Sequence, residues 1–268
     1  MDLNKVLYIS QEINPYLPST PLADFSRSLP EGIQGKGTEV RTFMPRYGCI
    51  NERRNQLHEV IRLSGMNIII DDTDHPLIIK VATLQPSRMQ VYFIDNDDYF
   101  LRHAADGLET ETLFDENDER SIFFVRGVLE TVRKLRWIPS LIHCTGWISA
   151  LAPLFLKKVY SYDPSFADVK VVYSLFDQTF DGTMNEAMAS KILSDEIAAG
   201  DIPHLAGAAG LTELQKTAID YADAICISSP GIPDELIEYA RASGKPLLEY
   251  TGDEEGFAAA YKEFYLSL

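Results

Sequence analysis

The chain has 268 residues, with 24 Lys and Arg against 40 Asp and Glu, so its formal net charge is −16. That charge argues against binding to nucleic acid and to anionic membrane surfaces, because both attract basic patches. Hydrophobic residues make up 46% of the sequence, which is ordinary for a soluble protein with a full core. No apolar run is long enough to span a bilayer, and no signal peptide precedes the first predicted strand. We therefore expect a cytoplasmic protein.

The opening of the chain predicts a strand, a helix and a second, parallel strand. Residues 6–9 form a short apolar run that is typical of a strand buried on both faces, and residues 40–44 predict the next strand. Between them, apolar residues recur at helical spacing: Leu22, Phe25, Leu29 and Ile33. Such a βαβ unit places ligands at the carboxyl end of its first strand, so residues 12–21 are expected to belong to any binding site.

The remainder of the sequence predicts a doubly wound sheet. Residues 58–94 contain three or four β-type segments that indicate an antiparallel excursion, and strands and helices then alternate to the end. Residues 117–136, 147–159, 185–199 and 254–265 predict helices, and the last should pack back on the sheet. The predicted fold class is α/β: one Rossmann-like domain over residues 1–268, with a mostly parallel sheet. Its strands should begin near Val6, Val40, Val91, Leu141, Val171, Ala224 and Leu247.

Three cysteines, Cys49, Cys144 and Cys226, are odd in number and widely separated, and two of them fall in predicted buried strands. This pattern indicates reduced core thiols rather than disulfide bonds. The five histidines show no metal-ligand spacing, and the sequence has neither a glycine-rich dinucleotide fingerprint nor a P-loop. We therefore expect no metal and no cofactor.

Short motifs follow one another in a fixed order from residue 5 to about residue 239. They include Glu12 with Pro15 and Leu22-Ala23-Asp24, then Met44-Pro45-Arg46-Tyr47, Tyr92-Phe93-Ile94-Asp95-Asn96, Asn117-Asp118-Glu119-Arg120, Ile142-His143-Cys144 with Trp147, and Ser229-Pro230. This series resembles the bacterial glycogen synthases and plant starch synthases. Members of that family transfer glucose from a sugar nucleotide to a growing α-1,4-glucan.

The resemblance carries expectations about function. Family members have two Rossmann-like domains, the second holding mainly the nucleotide sugar and the first mainly the glucan acceptor, and this chain resembles the first. It implies a glycogen or starch synthase-like protein related to ADP-glucose:α-1,4-glucan glucosyltransferases, truncated to the acceptor-side domain and not active alone. The alternative is a non-catalytic glucan-binding or regulatory partner of a full-length synthase or another glycan enzyme. Expected partners are α-glucan or ADP-glucose, a separate C-terminal synthase domain, or a second copy of this chain.

One loop departs from the family pattern with chemical consequences. Where the family has Lys-Thr-Gly-Gly, this chain has Pro18-Ser19-Thr20-Pro21. The lysine would place a positive charge near a phosphate, and the glycines would let backbone N–H groups approach it closely. Pro18 removes the charge, and each proline removes an N–H donor. Thr20-Pro21 instead predicts a helix start, with Thr20 as the N-cap and Pro21 at the first helical position.

The site residues of the family are also altered elsewhere, because its His-x-His-Asp-Trp is here His143-Cys144-Thr145-Gly146-Trp147. No catalytic residue is assigned with confidence. The resemblance and the strand ends give seven candidate sugar-binding residues: Glu12, Asp24, Tyr99, His143, Trp147, Asp177 and Gln178. All of them except Tyr99 are expected to converge on one cleft. Four of them have a structural alternative: His143, Trp147 and Tyr99 could be core residues, and Asp177 could be a solvated loop acid.

Overall fold

The structure is a computed structural model that describes residues 2–35, 37–101, 115–178, 180, 182–194, 196–252 and 256–268. Within these residues ten strands form: β1 Lys5–Ser10, β2 Glu39–Pro45, β3 His58–Glu59, β4 Met66–Ile70, β5 Thr73–Leu84, β6 Met89–Asp95, β7 Leu141–Thr145, β8 Lys170–Leu175, β9 Ala224–Ile227 and β10 Leu247–Leu248. They are interspersed with α-helices: α1 Pro21–Ile33, α2 Asp97–Phe100, α3 Asn117–Leu135, α4 Ala152–Lys158, α5 Met188–Ile192, α6 Leu211–Tyr221, α7 Asp234–Ala242 and α8 Phe257–Ser267. Short 3₁₀ turns occur at Trp147–Ser149, Ala199–Asp201 and Pro203–Leu205.

The strands lie in the order β10-β9-β8-β7-β1-β2-β6-β5-β3, with β4 paired to β5. Every pair from β10 to β6 is parallel, whereas β5 runs antiparallel to β6, and β3 and β4 run antiparallel to β5. The predicted α/β fold class, the parallel strands and the antiparallel excursion are therefore confirmed.

The order of connections creates a switch point beside β1. From β1 the chain passes through α1 to β2 on one side, and it later returns on the other side as β7. The registers place Ser10 of β1 opposite Thr145 of β7, so both strands end at the same level. Ligands of doubly wound sheets bind in the crevice at such a point, outside the carboxyl ends of the strands.

The central strands are buried on both faces because their sequences are short runs of apolar residues. All five residues of β7 and all four of β9 are buried, and the buried hydrophobic residues of the described chain form one cluster. Cys144 and Cys226 lie inside these two strands, whereas Cys49 is exposed. The prediction that two of the three cysteines are core residues is confirmed.

Helix α1 begins as the sequence predicts. The hydroxyl oxygen of Thr20 accepts a hydrogen bond from the backbone N–H of Ala23 at 2.9 Å, and Pro21 occupies the first turn. This cap satisfies one of the N–H groups that a helix start leaves without an intrahelical partner. The interpretation of this loop as a capped helix entrance is confirmed.

Helix α8 packs back on the sheet beside α1, as expected. Its Tyr265 hydroxyl contacts the imidazole of His143 in β7, and the Phe25 ring of α1 lies 5.5 Å from the Tyr261 ring of α8. The two helices approach closely because Gly32 has no side chain: a Cβ at this position would lie 2.5 Å from the Cβ of Ala258. The helix is described from Phe257, and the predicted first residues 254 and 255 lie outside the described residues.

Two predicted helices differ from the structure. Among the described residues of the predicted helix 185–199, only Met188–Ile192 is α-helical. Ser194 and Ile197 instead exchange backbone hydrogen bonds, and Asp201 accepts from the N–H of Ala198. Such polar side chains offer the backbone an alternative to helical bonds. The predicted helix 147–159 is divided into a 3₁₀ turn and α4, which starts near Pro153, a residue favoured in a first turn.

Candidate functional site

Gln11 directly follows β1, and its side chain is buried at the switch point. Its Oε1 accepts a hydrogen bond from the backbone N–H of Trp147 at 3.1 Å and another from Nε2 of Gln178, also at 3.1 Å. Gly146 leaves room for this side chain, since a Cβ there would lie 2.4 Å from the Cβ of Gln11, and its φ of +86° also favours glycine. Two predicted site residues, Trp147 and Gln178, are thus brought together.

The same pair of residues carries polar atoms that remain without partners. Trp147 is 1% exposed, and its indole Nε1 has no hydrogen-bond partner in the described chain; the same holds for Oε1 of Gln178. The indole ring packs edge-on against Phe180 at 5.6 Å between centroids. A buried donor and a buried acceptor without partners each cost free energy. A further polar group that bonded to either of them would therefore be stabilised.

Asp177 lies at the end of β8, next to the end of β9. Its backbone N–H donates to Oγ of Ser229 at 2.6 Å, and the side chain itself is exposed. Its carboxylate lies against Gly231, where φ is +85° and a Cβ would lie 2.5 Å from Oδ2. The structure therefore places Asp177 at the carboxyl edge of the sheet, with its carboxylate available to solvent.

Glu12 lies on the loop that precedes α1, Asp24 lies in the first turn of α1, and the hydroxyls of Ser19 and Thr20 bind them. The Thr20 hydroxyl donates to Glu12, the Ser19 hydroxyl donates to Asp24, and Nδ2 of Asn14 donates to Oδ1 of Asp24 at 2.7 Å. Burial raises the pKa of Glu12, the hydrogen bond from Thr20 opposes that rise, and the nearby charge of Asp24 adds to it. The hydroxyls of residues 18–21 are therefore bound by two neighbouring acids, Glu12 and Asp24.

His143 lies inside the protein rather than at the crevice. Its ring is fully buried between the sheet and α8, where Nδ1 is bonded to the Tyr265 hydroxyl and Nε2 to Oγ of Ser174 at 2.5 Å. The network continues through Ser228, whose hydroxyl is 2.8 Å from Ser174 and from the Tyr261 hydroxyl. Burial lowers the pKa of His143 to about 3, so the imidazole is neutral.

Tyr99 belongs to a separate cluster that it forms with Glu119, Asp118 and Lys191. Its hydroxyl donates to Oε2 of Glu119 at 2.7 Å, and burial together with that carboxylate raises its pKa well above the usual value. Nζ of Lys191 donates to Glu119 and to the fully buried Asp118, both at 2.7 Å. This cluster ties α5 to the start of α3.

The cations near the carboxyl ends of β2 and β6 are already paired. Arg46 contacts Asp95 at 2.8 Å and Asp97 at 2.9 Å, and Lys80 contacts Glu52 at 2.6 Å and Asp95 at 2.9 Å. Burial raises the pKa of Asp95, and the charges of Arg46 and Lys80 oppose that rise. Arg46 and Lys80 are therefore both held in ion pairs with carboxylates.

Sequence reasoning missed Gln11, Ser229 and Lys191. Gln11 is the first residue after β1, so its position at a strand end was the available signal, although it carries no charge. Ser229 follows β9 in the same way. No local pattern pointed to Lys191, because its partners Asp118 and Glu119 lie more than 70 residues away in sequence.

Two kinds of feature are absent from the described residues. These residues contain no group of three or more His, Cys, Asp or Glu side chains that could hold a metal ion. None of their helices is both long and apolar enough to cross a membrane.

Comparison with known proteins identifies the family of this chain. The family model described as "Starch synthase catalytic domain" matches residues 5–249. A glycogen synthase of Chlorobium chlorochromatii (strain CaD3) is 37% identical over 250 residues, covering 92% of this chain and 50% of the relative. A glycogen synthase of Chlorobium limicola is 36% identical over 237 residues, covering 87% of this chain and 47% of the relative.

A solved structure shares the fold. The catalytic domain of starch synthase IV from Arabidopsis thaliana, bound to ADP and acarbose, superposes with a TM-score of 0.72 at 19% identity. It covers 91% of this chain and 50% of that one. The chain thus spans about half the length of the curated relatives it matches. Because the family model covers most of the sequence, this chain belongs to the family of the starch synthase catalytic domain.

Proposed function

We propose that this chain binds neutral α-1,4-glucan at the carboxyl edge of its sheet, as the acceptor-side part of a glucosyltransferase, and that the 268-residue chain alone does not transfer glucose from ADP-glucose. The observation that carries this proposal is the loop at residues 18–21. It offers no cation, and its hydroxyls are bound to Glu12 and Asp24.

The loop disfavours an anionic nucleotide sugar. Transfer from ADP-glucose requires stabilisation of the diphosphate charge as it leaves, which is usually the largest electrostatic contribution to such a reaction. Here Ser19 and Thr20, in the loop that replaces the family's lysine loop, are bonded to Asp24 and Glu12. Arg46 and Lys80 are held by carboxylates. Together with a net charge of −16, these carboxylates repel a diphosphate.

A neutral glucan meets no such charge penalty. Asp177, Glu12 and Asp24 supply acceptors for sugar hydroxyls, and Trp147 with Gln178 supplies a further donor and acceptor. Beside the loop, a cavity of about 350 Å³ has Asp24 and Ser28 on its polar side and the rings of Phe25 and Phe257 on its apolar side. Small-molecule sites combine apolar walls and a few polar groups in this way. Tyr99 and His143 are both buried and hydrogen-bonded within the protein. Their sugar-binding roles stay predictions.

Catalysis would require a second component. The curated relatives are about twice as long as the matched region, which supports a role beside a nucleotide-sugar-binding domain, carried on another chain or on another part of a longer protein. In the alternative role, the chain binds glucan or regulates a full-length synthase without catalysis of its own. Adding a separate C-terminal synthase domain to the assay distinguishes the two roles, because only the first gains activity.

The proposal is tested by isothermal titration and by incorporation of radiolabelled glucose into glycogen. We expect maltooligosaccharides to bind with a Kd from roughly high micromolar to millimolar, a few kcal/mol of affinity. We also expect no binding of ADP-glucose in that range and no turnover above background. Asp177→Asn should weaken glucan binding, while Asp168→Asn, at the opposite end of the sheet, serves as the matched control. Clear turnover or tight ADP-glucose binding by the chain alone would contradict the proposal.

A further inference from the structure

The side chain of Gln11 stands where a ligand of a doubly wound fold is expected. It lies at the switch point between β1 and β7, and its Oε1 receives two donors from two different segments: the N–H of Trp147 after β7 and the amide of Gln178 after β8. A single oxygen that collects donors from converging loops is the arrangement with which proteins hold a ligand oxygen. Here the oxygen belongs to the protein itself.

The orientation of both amides follows from the backbone. A backbone N–H can only donate, so the Gln11 atom that faces Trp147 must be the oxygen. Gln178 must then present its NH₂ group to that oxygen, and its own Oε1 is directed elsewhere. That Oε1 is buried, and it has no partner among the described residues. The Trp147 indole N–H, which is also buried, lacks one as well.

The two unpaired polar atoms, Trp147 Nε1 and Gln178 Oε1, indicate the class of ligand. Trp147 Nε1 needs an acceptor and Gln178 Oε1 needs a donor, and a polyhydroxylated neutral molecule provides both. A phosphate that is fully ionised provides acceptors only, so it would leave Gln178 Oε1 unpaired at the free-energy cost of a buried, unsatisfied group.

We infer that Gln11 is an internal latch: its amide oxygen occupies the place of a ligand hydroxyl oxygen in a crevice that selects neutral polyols, and a glucan binds fully only after this side chain has moved away. The inference rests on the proposed function, because it concerns the same site. It adds a residue that limits affinity, and it accounts for selectivity without a charged side chain.

The test shortens the latch and measures glucan affinity. Gln11→Ser removes the amide and keeps a small polar side chain, and Gln11→Asn keeps the amide but is one methylene too short to reach both donors. We expect both variants to bind maltoheptaose about threefold to tenfold more tightly than the wild type, the range of one hydrogen bond. Gln34→Ala is the matched control, because it removes another glutamine amide, at the far end of α1, where Nε2 bonds to Ser87.

A second measurement keeps the outcomes separate. Hydrogen exchange of the Trp147 backbone amide should become at least about tenfold faster in Gln11→Ser and stay unchanged in Gln34→Ala, because only Gln11 protects it. Unchanged or weaker glucan affinity in both folded Gln11 variants overturns the latch, even if the wild type binds glucan. If neither the wild type nor either Gln11 variant binds glucan, the proposed function fails and the latch fails with it, whereas equal exchange in Gln11→Ser overturns the latch alone.

Discussion

Two buried polar clusters of this protein differ in how completely their atoms are paired. Beneath α8, His143, Ser174, Ser228, Tyr261 and Tyr265 bond to one another in a continuous network. At the switch point, Gln11 bonds to the Trp147 backbone N–H and to the Gln178 amide NH₂. The Trp147 indole N–H and Gln178 Oε1 have no partner among the described residues. A continuous network stabilises a fold, whereas incomplete pairing beside a strand end is what a binding site retains for its ligand.

The largest expected effect is the loss of the paired network. His143→Ala should lower the free energy of unfolding by about 3 kcal/mol, because it creates a cavity and leaves the Ser174 and Tyr265 hydroxyls short of a partner. Urea denaturation monitored by circular dichroism measures this. Tyr162→Phe, at a side chain that is 93% exposed, should change stability by less than about 0.5 kcal/mol. A loss below 1 kcal/mol in His143→Ala would show that the network contributes little.

A smaller effect should depend on pH. Burial lowers the pKa of His143 from 6.5 to about 3, so between these values the unfolded chain binds the extra proton and the folded chain does not. The stabilisation from the neutral imidazole is therefore complete above pH 6.5 and is lost as the pH falls towards 3. From pH 8 to pH 5 the contribution of this group should fall by about 2 kcal/mol.

The matched variant for this measurement is His143→Gln, which keeps hydrogen-bonding groups but does not titrate in this range. The buried acids Glu12, Asp95 and Asp118 have raised pKa values, and their contribution has the opposite sign. Only the difference between wild type and His143→Gln isolates the histidine. Parallel stability curves for the two proteins from pH 5 to pH 8 would contradict a buried neutral His143.

The smallest expected effect is a difference in stability between two variants, one in each of the two polar clusters. Tyr265→Phe removes one hydroxyl and should cost about 2 kcal/mol of stability, because Nδ1 of His143 then lacks its partner. Trp147→Phe removes more atoms but should cost only about 1 kcal/mol, since the indole N–H that it deletes has no partner to lose. Thermal unfolding of the two variants checks the order. If Trp147→Phe costs more, the crevice is not short of a partner.

The fold was predictable from the sequence because its signals are local. Apolar runs such as residues 6–9 and the Thr20-Pro21 cap depend on neighbouring residues alone, and both predictions are confirmed. The helix predicted at 185–199 was wrong over most of its length because side-chain bonds of residues such as Asp201 decide that segment.

The site was less predictable, because burial by distant elements decides which strand-end residues stay accessible. His143 is covered by Tyr265, 122 residues later in the chain, and no pattern near residue 143 shows this. Gln11 was missed because an uncharged residue outside the family motifs gives no chemical signal, although its position after β1 is that of a ligand-binding residue.

The close approach of Gly32 to Ala258 has a consequence for the order of synthesis. Helix α8 follows every strand that it covers, so a nascent chain that still lacks residues 257–267 presents the His143 face of the sheet to water. In that state the imidazole is solvated and titrates near its ordinary value, and docking of α8 onto α1 excludes the proton. Below pH 6.5 the docking of α8 is therefore coupled to proton release from His143, and acid disfavours it.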